Sequence, residues 1–212
     1  MTPPRIIGVT GGIACGKSTV ARYLMEAGIP VCETDQVAHE LMQPDGPAYA
    51  GVVQRFGTGI CRADGTIDRR ALAVRVFGDE QERAALNALV HPHVRRAWRT
   101  WAGDLQARGC AVAVVIPLLF EVGAERDVDV VVCVSAPLAA VKARLQQRGL
   151  TATEVAQRLK AQWPLAEKRR RADFVIENTG SEADLRAQVE AGLPRWVSKE
   201  KEDDHGGRTT TT

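Results

Sequence analysis

The chain has 212 residues with a net charge of +2, and 45% of them are hydrophobic. This predicts one compact domain with a substantial core, and the near-neutral charge gives no indication of a surface that binds nucleic acid. The five cysteines are scattered without C-x-x-C pairs, and no run approaches 18 apolar residues. We therefore expect a cytoplasmic protein with free thiols and no membrane association.

The first predicted elements surround a glycine-rich loop. Residues 5–10 are an apolar run that predicts a buried strand. Residues 11–18 read Gly-Gly-Ile-Ala-Cys-Gly-Lys-Ser and fit G-x-x-x-x-G-K-[ST] in full, and residues 19–27 predict a helix that ends at Gly28. Strand, glycine loop and helix in this order are the context that a phosphate-binding loop (P-loop) requires, so we expect the chain to bind a nucleoside triphosphate.

The residue types in this loop have chemical reasons. Glycines let consecutive backbone N–H groups curl around phosphate oxygens, and the helix N-terminus adds partial positive charge. Lys17 can reach the β- and γ-phosphates, and the Ser18 hydroxyl can bind Mg²⁺. Cys15 lies near Lys17 at a helix N-terminus, so its thiol is expected to have a lowered pKa unless it is only a small filler. The predicted nucleotide-binding residues of the loop are Gly12, Ile13, Ala14, Cys15, Gly16, Lys17, Ser18 and Thr19.

Four more β-branched runs predict buried strands, at residues 30–33, 111–116, 128–134 and 173–177. Helical patterns separate these runs, as in βαβ units with right-handed crossovers. The predicted fold class is α/β, a P-loop three-layer α/β/α architecture with a five-stranded parallel sheet. We expect the second strand to neighbour the P-loop strand.

Two helical excursions interrupt this core. The first, residues 36–109, is predicted to be an insertion beside the sheet, with helical stretches at residues 38–42, 48–56, 69–76, 81–89 and 94–108. The second, residues 138–171, is predicted to be a lid. Its two helices are residues 138–148 and 153–162, with Thr151 or Thr153 as the N-cap of the second, and Pro164 returns the chain to the last strand. The predicted core is residues 1–35, 110–137 and 172–197, and residues 198–212 are expected to be a disordered tail.

A bound triphosphate leaves open what the protein does with it. A GTPase would carry an N-K-x-D-like motif, but neither Asn87 nor Asn178 is followed by lysine, which favours ATP. Helicases and transporters are longer than this chain. A small-molecule kinase remains, which needs a carboxylate, cations for the transferring phosphoryl group and an acceptor pocket.

Asp35 is the carboxylate that best meets this need. It follows the second strand, so its side chain could face the γ-phosphate and orient the acceptor hydroxyl or accept its proton. Glu33 points the same way and could organise Mg²⁺ through water. On position alone, an N-cap for a helix that begins at Gln36 is an equally good interpretation of Asp35.

The lid supplies candidate cations. Arg144 and Arg148 are four residues apart on one helix face, so both could reach a phosphate, although a solvated face is the alternative. The basic run at residues 168–171 is interpreted as a solvated segment, with nucleic-acid binding as the alternative. Asn178 ends the last strand at the edge where nucleotides bind, so it could contact adenine or be a plain turn residue.

Several segments together resemble the dephospho-CoA kinase family across about residues 5–195. The P-loop is generic, whereas Pro-Leu-Leu-Phe-Glu and Asp-Arg-Arg-Ala-Leu in one chain are far more specific. The matching segments, in chain order, are residues 10–19, 33–35, 65–72, 90–92, 116–121 and 172–180. One departure lies in the P-loop, where Ala14 and Cys15 replace a commoner glycine–serine pair.

The resemblance implies a nucleotide core like that of adenylate kinase, a helical acceptor domain and a lid. It implies ATP-dependent phosphorylation of the ribose 3′-hydroxyl of dephospho-CoA, the final step of coenzyme A synthesis. Asp35 would be the catalytic carboxylate, Lys17 and Ser18 would hold the phosphates and Mg²⁺, and Arg148 would approach the phosphates from the lid. The acceptor side would include His91, Pro92, Leu118, Leu119, Phe120 and Glu121.

Some alternatives stay open on the sequence. His91 could be an ordinary residue at a helix start, with Pro92 at position N1. The chain could be another adenylate-kinase-like kinase, or a nucleotide-binding regulatory module without turnover. The sequence leaves the oligomeric state open, with a monomer as one possibility.

Overall fold

The computed structural model describes residues 4–77, 79–149, 151–160 and 162–198 of the chain. Its centre is a five-stranded, all-parallel sheet with the strand order β2-β3-β1-β4-β5. The strands are β1 (Ile6–Gly11), β2 (Val31–Glu33), β3 (Val112–Val115), β4 (Val130–Ser135) and β5 (Phe174–Glu177). All five predicted strands are confirmed.

The predicted neighbour of the P-loop strand is wrong. β1 pairs with β3 and β4, and β2 pairs only with β3. All four residues of β3 are buried, which suits a central position, whereas β2 has three residues of which Glu33 is exposed, which suits an edge.

The helices cover both faces of the sheet. They are α1 (Lys17–Glu26), α2 (Thr34–Leu41), α3 (Tyr49–Phe56), α4 (Arg69–Phe77), α5 (Glu80–Ala107), α6 (Leu138–Gln147), α7 (Ala152–Lys160), α8 (Leu165–Arg171) and α9 (Glu182–Val197). Short 3₁₀ turns lie at Thr58–Ile60 and Ala124–Asp127.

Side chains that alternate along the strands divide the core into two layers. Ala113 and Val115 of β3 belong to the apolar cluster that α1 and α9 cover, and Val112 and Val114 belong to the cluster that includes residues of α3 and α5. This is the predicted three-layer architecture. The helical insertion therefore shares its core with one face of the sheet.

Helix α5 crosses the point where the sequence predicted a break. It includes Pro92, which removes one helix hydrogen bond and ordinarily costs about 3 kcal/mol in a helix interior. A buried stripe of Val90, Val94, Trp98 and Ala102 continues at a spacing of four residues past the proline, and this packing holds the helix together. His91 and Pro92 thus lie inside a helix, and the interpretation of Pro92 as a helix start is wrong.

The second excursion contains one more helix than predicted. Thr151 is the N-cap of α7: its hydroxyl accepts a hydrogen bond from the Glu154 N–H at 3.3 Å, and the Glu154 carboxylate accepts one from the Thr151 N–H at 2.8 Å. The basic run at residues 168–171 ends α8; Arg169, Arg170 and Arg171 are exposed, as predicted for a solvated segment, whereas Lys168 is buried. The predicted tail beyond Ser198 lies outside the described residues. Within the described part of the chain, no helix is long and apolar enough to cross a bilayer.

Candidate active site

The P-loop, residues 11–18, connects β1 to α1 at the carboxyl edge of the sheet. Gly11 and Gly16 have φ values of 142° and 105°, and a Cβ at either position would lie 2.1 Å from the Val134 carbonyl oxygen or 2.3 Å from Asn178 Nδ2. Only glycine fits such close approaches at positive φ. Ala14 also has a positive φ of 55°, in the left-handed region that is unfavourable for a residue with a side chain.

Lys17 lies inside the loop. Its Nζ donates hydrogen bonds to the carbonyl oxygens of Gly12 at 2.8 Å and Gly11 at 3.3 Å. Burial lowers the pKa of Lys17, and the nearby positive charge of Lys168 lowers it further, while the Asp35 carboxylate opposes both by raising it. Lys17 and Asp35 are therefore close enough to interact electrostatically at the mouth of the loop.

Two predicted nucleotide ligands hold the outside of the loop. Asn178 is 8% exposed, and its Nδ2 donates to the Cys15 carbonyl oxygen at 2.8 Å. The Arg144 guanidinium donates to the Ala14 carbonyl oxygen at 3.0 Å and to Asn178 Oδ1 at 3.3 Å. Because these contacts occupy carbonyl groups of the loop, they favour a loop with its carbonyls outward and its N–H groups available to an anion.

Arg148 differs from Arg144 although both are on the same helix face. It is the exposed C-cap of α6, and its side chain has no hydrogen bond or ion pair with the described residues. Ser18 and Thr19 lie in the first turn of α1, and the Ser18 side chain is exposed beside the loop. An exposed hydroxyl suits the coordination of Mg²⁺, which usually binds few protein ligands together with phosphate oxygens and water.

The thiol of Cys15 contradicts the expected lowered pKa. Cys15 is 1% exposed and belongs to the apolar core cluster, and burial raises its pKa more than the Lys17 charge lowers it. Its side chain is buried in the core, so any contact of Cys15 with a phosphate would use the backbone.

Asp35 is the second residue of α2, and Glu33 is the N-cap of that helix, so the predicted cap at Asp35 is wrong. Its neighbour Thr34 is buried and donates a hydrogen bond from Oγ1 to the Val115 carbonyl oxygen at 2.9 Å. This contact fixes the start of α2 to the end of β3. Since β3 is the strand next to β1, the start of α2 with Asp35 lies one strand away from the P-loop at the same edge of the sheet.

The segment that follows β3, residues 117–121, is held by a buried ion pair. Lys168 is fully buried, and its Nζ lies 2.8 Å from Glu121 Oε1 and donates to the Pro117 carbonyl oxygen at 2.8 Å. Glu121 Oε1 also accepts a hydrogen bond from the Trp163 backbone N–H at 2.8 Å, whereas Oε2 is buried without a hydrogen-bond partner among the described residues. Glu121 therefore has one carboxylate oxygen left to accept a donor.

The other predicted acceptor residues lie in different environments. Phe120 is 5% exposed and stacks on the Trp163 ring, with centroids 6.4 Å apart. Leu119 is fully buried beneath Gly8, so its side chain supports the segment and is inaccessible to a ligand in this structure. Leu118 is half-buried beside them.

His91 and Pro92 lie on α5, apart from this cluster in the chain. Pro92 is exposed, and His91 is half-buried without a hydrogen-bond partner among the residues that the structure describes. Burial lowers the pKa of His91.

Sequence reasoning missed Lys168, Gln162 and Trp163. The sequence places Lys168 in a predicted solvated run, and the one local signal against this is its position three residues after Leu165 on a helix, which puts both on one face. Gln162 is predicted to end a lid helix, but its Oε1 accepts a hydrogen bond from the Ile13 backbone N–H at 3.1 Å. No local pattern in the sequence indicates that contact.

Comparisons with known proteins agree on one family. The model of the dephospho-CoA kinase family matches residues 5–184. A dephospho-CoA kinase of Geobacillus kaustophilus is 44% identical over 92% of this chain and 98% of that protein, and one of Anaeromyxobacter dehalogenans is 46% identical over 84% and 85%.

Solved structures give the same fold. A crystal structure from Thermus thermophilus is 38% identical, with a TM-score of 0.74 over 93% of this chain and all of that one. A dephospho-CoA kinase from Campylobacter jejuni is 28% identical, with a TM-score of 0.68 over 90% of this chain and 96% of that one. A shikimate kinase from Acinetobacter baumannii, 15% identical over 90% of this chain and 93% of that one with a TM-score of 0.51, shares the fold.

Proposed function

We propose roles for the residues of this site on the premise that the chain belongs to the dephospho-CoA kinase family. Its reaction is the ATP-dependent phosphorylation of the ribose 3′-hydroxyl of dephospho-CoA, which gives coenzyme A and ADP in the last step of coenzyme A synthesis. The observation that carries the assignment of roles is the position of Asp35, exposed in the first turn of α2 at the same edge of the sheet as the P-loop, where its negative charge raises the pKa of Lys17.

Asp35 orients the 3′-hydroxyl for in-line attack and accepts its proton as the new P–O bond forms. Its exposed position at the first turn of α2 supports this role, because an acceptor can approach it from solvent. Thr34 acts through Asp35 as a positioning residue, since its buried hydrogen bond fixes the turn that presents the carboxylate.

Lys17 neutralises charge on the β- and γ-phosphates after exchanging its bonds to Gly11 and Gly12 for phosphate oxygens. The backbone N–H groups of residues 12–19 bind the phosphates, and Arg144 and Asn178 support them by holding the carbonyl groups of the loop. Bound Mg²⁺ would supply further neutralisation of phosphate charge, and the Ser18 hydroxyl would hold it. Arg148, with a free guanidinium among the described residues, reaches the phosphates from the lid.

The acceptor side is formed by residues 117–121 and by the insertion at residues 36–109, with residues 138–171 as the lid. Leu118 and Phe120 provide apolar contact, and Glu121 Oε2 accepts a hydrogen bond from dephospho-CoA. His91 and Pro92 contact the acceptor from α5. We place the reaction in the cytoplasm, which the free cysteines support, and propose that one chain suffices for it.

The test is ADP release by the purified protein with Mg-ATP, with and without dephospho-CoA. We expect strong stimulation by dephospho-CoA. Coenzyme A is a matched control, because its 3′-position already carries a phosphate and offers no hydroxyl. Bound ATP without stimulation would redirect the search to other hydroxyl acceptors, and bound ATP without any turnover would indicate a regulatory module.

A further inference from the structure

The side chain of Gln162 is hydrogen-bonded to the P-loop, which we also call the donor loop. Its side-chain oxygen accepts the Ile13 N–H at 3.1 Å, inside the loop whose N–H groups bind phosphate. In the roles proposed above the Ile13 N–H is one of the donors to phosphate, so the Gln162 oxygen takes the place of an anion oxygen. Leu165, three residues further along the chain, also lies beside the loop, because a Cβ at Gly12 would be 3.7 Å from Leu165 Cδ1.

The next residue in the chain, Trp163, contacts the acceptor side. Its backbone N–H donates to Glu121 Oε1 at 2.8 Å, and its ring is parallel to that of Phe120 to within 9°. The Arg171 guanidinium lies over the Trp163 ring, 4.7 Å from its centroid. Two consecutive residues therefore join the donor loop to the segment at residues 117–121.

The acceptor end of this joint is firmly fixed. Glu121 Oε1 is shared between the Trp163 N–H and the buried Lys168 ammonium, and Lys168 also holds the Pro117 carbonyl group. Thr10, at the end of β1, donates to the same Pro117 carbonyl oxygen at 3.3 Å. Because Trp163 follows Gln162 directly and contacts both Glu121 and Phe120, a movement of Gln162 would also displace these contacts.

We propose that Gln162 is a positioning residue whose oxygen accepts the Ile13 N–H, and that the triphosphate displaces this oxygen on binding and so shifts Trp163 on Phe120 and Glu121. Occupancy of the donor loop thereby adjusts the acceptor side before the phosphoryl group is transferred. This inference rests on the proposed function, since it needs residues 117–121 to face the acceptor.

The first test measures affinity for a nonhydrolysable ATP analogue with Mg²⁺, without any acceptor. Gln162→Ala removes a competing hydrogen-bond acceptor, so we expect the analogue to bind about two- to tenfold more tightly, the factor that one net hydrogen bond provides. Gln162→Glu puts a carboxylate at the same N–H, and we expect weaker binding. Gln157→Ala and Gln157→Glu, at an exposed position of α7, are the matched controls for side-chain loss and for added charge.

The second test follows the tryptophan fluorescence of the full chain on addition of the same analogue. The difference between wild type and Trp163→Phe isolates the signal of Trp163 from that of the other three tryptophans. We expect that signal to be present in wild type and in Gln157→Ala, and to be lost in Gln162→Ala.

Two results would overturn the proposal. Weaker analogue binding in Gln162→Ala would make Gln162 a nucleotide ligand instead of a competitor, and an unchanged Trp163 signal in that variant would remove the link to the acceptor side. Both measurements omit dephospho-CoA, so they can fail while ADP release still depends on that acceptor. Absence of acceptor-dependent ADP release in the wild type would count against the proposed function and against the acceptor-side meaning of the Trp163 shift, while the contact of Gln162 with the P-loop would still be decided by the two measurements.

Discussion

The P-loop and residues 117–121, which we propose as the donor and acceptor sides of the site, are held by different kinds of contact. The P-loop is a local motif whose carbonyl groups are bonded by Lys17, Arg144 and Asn178. Residues 117–121 do not form a comparable local motif. They are held in place by the buried ion pair of Glu121 with Lys168, which lies 47 residues further along the chain.

The difference predicts where substitutions act. A hydrogen bond to a loop carbonyl contributes about 1 kcal/mol net, whereas breaking a buried ion pair leaves an uncompensated charge and costs several times more. Changes on the donor side should therefore appear mainly in nucleotide binding and turnover. Changes at the buried pair on the acceptor side should appear first in the stability of the whole fold.

The largest expected effect is that of Lys168→Ala. It leaves the Glu121 carboxylate buried without its partner, and we expect the free energy of unfolding to fall by about 3–5 kcal/mol, measured by chemical denaturation. Arg170→Ala in the same basic run is the control, because its pair with Glu167 is exposed and should contribute at most about 1 kcal/mol. Equal losses in the two variants would erase the distinction between the two sides.

Asp35→Asn should affect turnover and leave stability almost unchanged. Asparagine keeps the shape of the side chain at the first turn of α2 but removes the charge that faces Lys17. We expect kcat to fall about a hundredfold or more, with ATP affinity within a few fold of wild type. Glu40→Gln, exposed near the end of the same helix, is the control. Near-normal turnover in Asp35→Asn would leave that carboxylate with only a helix-terminal role.

Asn178→Ala measures the donor side directly. The variant leaves the Cys15 carbonyl group without its partner, and we expect a loss of about 1–3 kcal/mol in unfolding free energy together with weaker nucleotide binding. Asn87→Ala is the control, because Asn87 is the other asparagine of the sequence and lies half-buried on α5. Unaltered nucleotide affinity in Asn178→Ala would show that the loop keeps its shape without this contact.

The donor side could be predicted from sequence because its information is local. The spacing of Gly11, Gly16, Lys17 and Ser18 specifies strand, loop and helix within a few residues. Residues 117–121 depend on contacts that join distant segments, and within the run at residues 168–171 only the spacing of Lys168 from Leu165 distinguishes it from its exposed neighbours. The resemblance to a family indicated residues 117–121, but it did not indicate what holds them.

Strand order and helix continuity show the same limit. Both β2 and β3 are short runs that contain valine, and no local rule says which of them pairs with β1; β3, buried at all four residues, takes that position. Pro92 is a strong local signal for a helix break, and it was overridden by the buried stripe that runs past it on α5. In both cases tertiary packing prevailed over a local rule.

His91 gives a pH dependence with a definite sign. Burial lowers its pKa in the folded state, so below the unfolded pKa of about 6.5 the unfolded chain binds more protons than the folded one. His91 therefore makes stability fall as the pH drops below that value, and its full contribution is present above it. We expect His91→Gln to reduce the loss of unfolding free energy between pH 7.5 and pH 5.5. An identical loss in wild type and variant would contradict the burial of this ring.

The smallest expected effect tests strain in the P-loop itself. Ala14 has a φ of 55°, and its carbonyl group is held there by the Arg144 guanidinium. Ala14→Gly removes an unfavourable left-handed contact of about 1–2 kcal/mol, but the more flexible unfolded chain offsets about 0.4–1 kcal/mol of that gain. We expect the variant to be more stable than wild type by up to about 1 kcal/mol in chemical denaturation. Ala27→Gly, at the exposed C-cap of α1 with an ordinary φ of −82°, has no such strain to relieve and should lose stability. If both glycine variants lose stability alike, the loop holds no strain at Ala14, and its shape then comes from its hydrogen bonds, among them those of Lys17, Arg144 and Asn178.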